Sequence, residues 1–114
     1  MARIIASENG SLKSTYYAIH EALYIGSAAN NNVQIVDPSI SKIHARISIE
    51  IDPQGHQLYI FEDLNSQYGS YLNRHKVVRQ ALKHQDQIRI GHQQFTFFNY
   101  KELISAKLSD KTSR

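Results

Sequence analysis

The chain has 114 residues, 41% of them hydrophobic, with a formal net charge of +3 and no cysteine. This suits one compact domain with a single core, and the missing thiols exclude disulfides, thiolate metal sites and a cysteine nucleophile, in keeping with a reducing, cytoplasmic setting. The amino terminus meets Glu8 after a short apolar stretch, unlike a signal peptide, and no apolar run approaches the roughly twenty residues of a spanning helix.

Along the chain the readable hydrophobic period is two. Strands are expected at Arg3–Ala6, Tyr16–Ile19, Leu23–Ile25 and Val33–Ile35. Glu8-Asn9-Gly10-Ser11 forms a tight connection whose Asn-Gly pair suits positive φ, and Asn30-Asn31-Asn32, which tolerate left-handed backbone, suit a tight loop. Ala45 to Ile51 alternates cleanly, placing Ala45, Ile47, Ile49 and Ile51 on one face and Arg46, Ser48 and Glu50 on the other. Asp52-Pro53-Gln54-Gly55 turns the chain into a returning strand at Gln57–Phe61. Ser70–Leu72 is a further short strand. Arg74, Lys76, Arg79 and Lys83 follow in a stretch without acids, which reads as a solvated turn and edge strand. Gln87–Ile90 and Gln93–Phe98 form a hairpin around Gly91-His92, and Tyr100 to Leu108 suits a short terminal helix. The domain is placed at residues 1–100, with 101–114 as a tail or the start of a linker.

Many short strands between polar turns predict an all-β sandwich of two mainly antiparallel sheets. Its core is expected to centre on Ile47, Ile49, Leu58, Ile60, Ile88, Ile90, Phe95 and Phe97. Two segments, Tyr59-Ile60-Phe61 and Phe97-Phe98, are apolar on both parities.

The chemistry-bearing residues occur in a fixed order. Gly26 ends an apolar run, Ser41-Lys42-Ile43-His44 follows about fifteen residues later, and Asp63-Leu64-Asn65-Ser66-Gln67-Tyr68-Gly69-Ser70-Tyr71-Leu72-Asn73 lies downstream. This pattern resembles the forkhead-associated (FHA) domain over roughly Arg3 to Asn99. The family is a β-sandwich whose apical loops read phosphothreonine peptides through a Gly-Arg pair, a Ser-x-x-His box and an Asn-Gly pair. Here Gly26, Ser41, His44 and Gly69 match, whereas Ser27 stands in place of the arginine and Tyr68 in place of the asparagine.

The resemblance implies a signalling-type protein interaction module, with Ser27, Ser41, Lys42, Gln67, Tyr68 and Ser70 at the ligand and Gly26, His44 and Gly69 bracing the loops. Ser41 would be the hydroxyl on phosphate, Lys42 a point charge and Gln67 an amide donor, while Asp86 resembles the family's acidic residue before its closing hairpin. Serine has neither charge nor the reach for a bidentate phosphate clamp, and a phenol cannot reproduce both the donor and the acceptor of an amide. The expectation is binding of a protein or peptide partner with weak or absent phosphothreonine dependence. The alternative is functional phosphothreonine recognition through Ser41, Lys42 and Gln67.

Other chemistries fit less well. His20, His44, His56, His75, His84 and His92 lack metal-ligand spacing, so no metal or other cofactor is expected. Ser41 three residues before His44 is not a nucleophile elbow, and no enzyme activity is expected. A nucleic-acid binder would use residues 74–83 with Tyr59, Tyr68 and Tyr71, but the charge excess is too mild to indicate one.

Overall fold

A computed structural model of the chain describes residues 2–101. Its strands are β1 (Ala2–Glu8), β2 (Ser11–Ile19), β3 (Leu23–Gly26), β4 (Val33–Gln34), β5 (Ala45–Ile51), β6 (Gln57–Asp63), β7 (Ser70–Leu72), β8 (His75–Val77), β9 (Arg79–Ala81), β10 (Gln87–Ile90) and β11 (Gln93–Asn99). They form a six-stranded sheet, ordered β2-β1-β11-β10-β7-β8, and a five-stranded sheet, ordered β4-β3-β5-β6-β9. Among the described residues, β3–β4 is the one parallel pair. No helix among the described residues is long and apolar enough to cross a membrane. The expected helix at Tyr100–Leu108 and the tail lie, after Lys101, outside the described residues.

The two sheets bury their facing side chains in one cluster that includes Ile4, Ile25, Val33, Ile47, Phe61, Leu72, Ile88, Ile90, Phe95 and Phe97. Strand β6 sets its parity by its largest rings. Phe61 is fully buried opposite Ile47, and Tyr59 tilts against Phe97 with centroids 5.5 Å apart. Leu58, expected inside, is therefore 37% exposed on the outer face, and Ile60 is buried outside the central cluster, opposite Ala81. Ile49 packs against the core only partly, and Ile51, although in phase with it, is 62% exposed.

Two turn expectations fare differently. Asn9 and Gly10 do take positive φ, 52° and 81°. None of Asn30, Asn31 and Asn32 does; instead the side chains of Asn31 and Asn32 bond the backbone. Asn31 Nδ2 donates to the carbonyls of Ala28 (2.8 Å) and Lys42 (2.7 Å), and Asn32 Oδ1 accepts from the Tyr24 amide. Asparagine was favoured there for its amide and not for its tolerance of left-handed backbone.

The basic stretch, read as turn and edge strand, holds β8 and β9, which are the edges of opposite sheets. Hairpin β7–β8 closes through Asn73 and Arg74, at φ 50° and 72°, between the Leu72–His75 pair. Such turns favour Asn-Gly because both central residues are left-handed. Arg74 is therefore strained, and Arg74→Gly is expected to raise unfolding stability by about 1 kcal/mol, measured by urea titration.

Candidate functional site

Register brings the functional loops together. Ile25 at the end of β3 pairs with Ala45 at the start of β5, which pairs with Asp63 at the end of β6. The connections leaving β3, entering β5 and leaving β6 thus emerge at the same end of the five-stranded sheet. Strand β7 of the facing sheet begins there at Ser70.

His44, one residue before β5, sits among these loops with no exposure. Its Nδ1 accepts the Ser41 amide at 3.1 Å, and its Nε2 lies 2.9 Å from the Gly69 carbonyl. An amide can only donate and a carbonyl only accept, so the ring is the neutral tautomer with its proton on Nε2. The backbone of His44 adds two ties: its amide donates to the Ile25 carbonyl at 2.8 Å, and its carbonyl accepts the Leu64 amide at 2.9 Å. Both ring nitrogens face backbone, so neither serves as a base for the Ser41 hydroxyl.

Ser41 links two loops. Its carbonyl accepts the Ser27 amide at 3.0 Å, and its Oγ accepts the Gln67 amide at 3.0 Å. The hydroxyl proton is thereby left to point away from that amide. Lys42 is exposed, while its carbonyl accepts the Ala28 amide and the Asn31 side chain. The half-buried Ser27 holds the mouth of the first loop through its backbone, its carbonyl accepting from Gln34 Nε2. Gln67 and Tyr68 are exposed, Tyr68 by 59%. With Asp37, Pro38 and Ser39, Tyr68 lines a shallow open depression of about 360 Å³. Asp37 accepts both the hydroxyl (2.7 Å) and the amide (2.8 Å) of Ser39, and these bonds hold its carboxyl below the usual range. A full negative charge therefore shares the loop with Lys42.

The two glycines act through space as well as dihedral freedom. Gly26 takes no positive φ, so dihedral freedom is not what it supplies. A β-carbon there would lie 2.2 Å from the Lys42 carbonyl oxygen and 2.8 Å from Asn31 Nδ2, so the residue permits close approach of two loops. Gly69 takes φ +86°, and the Lys76 side chain crosses it, with Cε 2.7 Å from where a β-carbon would be.

One expected ligand contact must be corrected. Ser70 is fully buried and its hydroxyl donates to Asp63 Oδ1 at 2.6 Å, so it belongs to the loop's interior. Asp63 is the organiser that motif reading passed over. It also accepts the Ser66 hydroxyl (2.6 Å) and amide (3.1 Å), while Ser66 Oγ accepts the Gly69 amide (2.9 Å). The detectable signal was an aspartate three residues before a serine at a strand end, a spacing suited to such a side-chain–backbone turn. Asp86, ahead of the closing hairpin, accepts the Lys83 amide and the Asn73 side chain.

The family comparison follows this geometry. A model of the FHA domain matches residues 23–91, and the chain belongs to the FHA domain family. No curated protein sequence matches it. Among solved structures, it is similar to Mycobacterium tuberculosis EmbR in complex with a low-affinity phosphopeptide, at 25% identity and TM-score 0.71, covering 85% of this chain and 24% of that one. The MEK1 FHA domain aligns at 22% identity and TM-score 0.76, over 85% of this chain and 88% of that one. An FHA domain studied for phosphothreonine-dependent interactions aligns at 23% identity and TM-score 0.71, over 86% and 95%.

Two measurements test the bracing network. His44→Ala removes both bridges and leaves a cavity, and should cost about 2 to 4 kcal/mol in urea titrations, whereas Ser41→Ala should cost about 1 kcal/mol. For Asp63, burial raises the carboxyl pKa, but the hydrogen bonds from Ser66 and Ser70 outweigh it and leave it lowered. A folded pKa below the unfolded one, about 3.9, stabilises the fold above that pH and is lost as pH falls through the folded value. The urea midpoint should thus drop below about pH 4, and the drop should be shallower in Asp63→Asn.

Proposed function

We propose that the chain is a protein interaction module whose apical loops take a partner's peptide segment with little dependence on phosphate. The observation that carries this reading is the combination of a braced loop scaffold with a missing cation. Ser41 holds a hydroxyl ready to donate beside exposed Lys42, Gln67 and Tyr68, with Ser27 at the loop mouth. A phosphate dianion needs several charged or amide donors to offset its desolvation. Ser27 supplies no charge, and Asp37 opposes that of Lys42 on the same loop. The phenol of Tyr68 instead offers a flat amphipathic surface beside a shallow depression, suited to packing on a side chain.

The similar structures support a peptide partner: EmbR is in complex with a low-affinity phosphopeptide, and another domain has phosphothreonine-dependent interactions. The module acts by binding and not by catalysis, since His44 spends both ring nitrogens on backbone and leaves Ser41 unactivated. A reducing cytoplasmic setting accords with a chain that lacks cysteine.

Paired threonine and phosphothreonine peptides, titrated calorimetrically at fixed salt, test the reading. The wild type should distinguish them weakly. Ser27→Arg with Tyr68→Asn should create a phosphate preference of about 2 kcal/mol or more, because a planar cation and an amide restore charge-assisted contacts. Strong phosphate dependence in the wild type overturns the proposal in favour of recognition through Ser41, Lys42 and Gln67.

A further inference from the structure

The outer face of the six-stranded sheet carries a second feature at its β8 edge. Lys76 pairs directly with Tyr71, and Tyr71 with Arg89, so the three side chains share a face. That face is the outer one, since their neighbours Leu72, Ile88 and Ser70 are buried in the core. The Arg89 guanidinium lies 4.4 Å from the centroid of the Tyr71 ring. Arg74 adds a further exposed cation at the tip of the same hairpin.

The Arg89 guanidinium is steadied by the Gly91 carbonyl, to which its Nη1 donates at 3.3 Å. Lys13, Arg46 and Arg79 each have a carboxylate partner, but among the described residues none lies within ion-pair distance of Arg74, Lys76 or Arg89. The stripe also adjoins the apical loops, because the Lys76 side chain lies across Gly69, whose neighbour is the exposed Tyr68. A lysine on an edge strand discourages sheet extension. That role explains neither a left-handed arginine where glycine relieves the strain nor a guanidinium held over an aromatic ring.

We infer that Lys76, Tyr71 and Arg89 form a docking stripe for an acidic segment of the peptide partner, continuous with the apical site. The inference rests on the apical reading above for the placement of that partner. Three adjacent strands set the Lys76 and Arg89 backbones about 10 Å apart, the distance a peptide in the polyproline II conformation covers in about three residues, the period that returns its side chains to one face. The stripe therefore selects two carboxylates at about that spacing, flanking the residue held at Ser41. The ring of Tyr71 lies under the Arg89 guanidinium and holds that cation in place beside Lys76. Protein is favoured over nucleic acid because the stripe continues from loops of a peptide-binding family and has only one aromatic platform.

An array of threonine peptides tests this, each carrying two glutamates about three residues apart, stepped through the flanking positions, against the same peptides with glutamine. The wild type is expected to prefer a glutamate set by about tenfold, since two exposed charge pairs each contribute up to about fivefold. The preference should fade as salt rises. Lys76→Glu and Arg89→Glu should each abolish it, and their urea midpoints will show that the fold is retained. Ser41→Ala should weaken glutamate and glutamine peptides alike. Binding that responds to Ser41→Ala but is indifferent to glutamate and to Lys76→Glu overturns the stripe and leaves the apical reading intact. Glutamate-dependent binding that ignores Ser41→Ala supports the stripe while overturning its continuity with the apical site. No binding to any peptide, or tighter binding of oligothymidylate than of the glutamate peptides, overturns the inference.

Discussion

A buried imidazole with a backbone donor on one nitrogen and a backbone acceptor on the other is the constraint on which the apical end of this domain depends. His44 is fully enclosed, so each ring nitrogen must find a partner or carry the cost of desolvation, about 1 to 3 kcal/mol. Its partners, the Ser41 amide and the Gly69 carbonyl, belong to different loops, and its own backbone reaches Ile25 and Leu64. Satisfying one residue therefore positions several segments at once. The requirement is also selective: only a side chain with an acceptor and a donor on opposite sides of a rigid ring meets both backbone groups.

Around that brace the loops are stiffened from within. Asp63 gathers the hydroxyls of Ser66 and Ser70, Ser66 receives the Gly69 amide, and Asn31 ties the first loop to the Lys42 carbonyl. None of these groups needs to touch a ligand. They use small polar side chains to satisfy backbone that leaves the sheet ladders, beside the one loop residue, Ile40, that reaches the core cluster. The scaffold and the ligand-facing chemistry are consequently separable. Tyr68 stands exposed at the loop surface, while the internal network that presents it is made by other side chains and backbone.

The charge distribution shows the same separation. Near Ser41 the positive Lys42 shares its loop with the ionised Asp37, whereas further cations collect on the neighbouring sheet edge around Tyr71. A module with little charge at its apex and a basic flank would draw selectivity from the residues beside the anchoring one as well as from the anchor itself. Exposed charges act over about a Debye length, so such a flank also favours encounter with an acidic partner.

The strand pattern and the brace were legible in the residue order. Alternation in Ala45–Ile49 marks one buried face without ambiguity, and the order of Gly26, Ser41, His44 and Gly69 was enough to assign the scaffold. The parity of Tyr59-Ile60-Phe61 was not legible, because an apolar run reads alike in either phase until the opposing sheet shows where Phe61 and Tyr59 fit. Ser70 and Asp63 exchanged importance for a similar reason: a hydroxyl at a motif position looks outward-facing in a string of letters, and only the fold shows it buried against a carboxylate. The place of Lys76 against Gly69, and the alignment of Lys76, Tyr71 and Arg89, come from pairing between strands distant in sequence. Local sequence determines which residues alternate and which turn; which of them become neighbours is decided by register and sheet order, through contacts that no local pattern encodes.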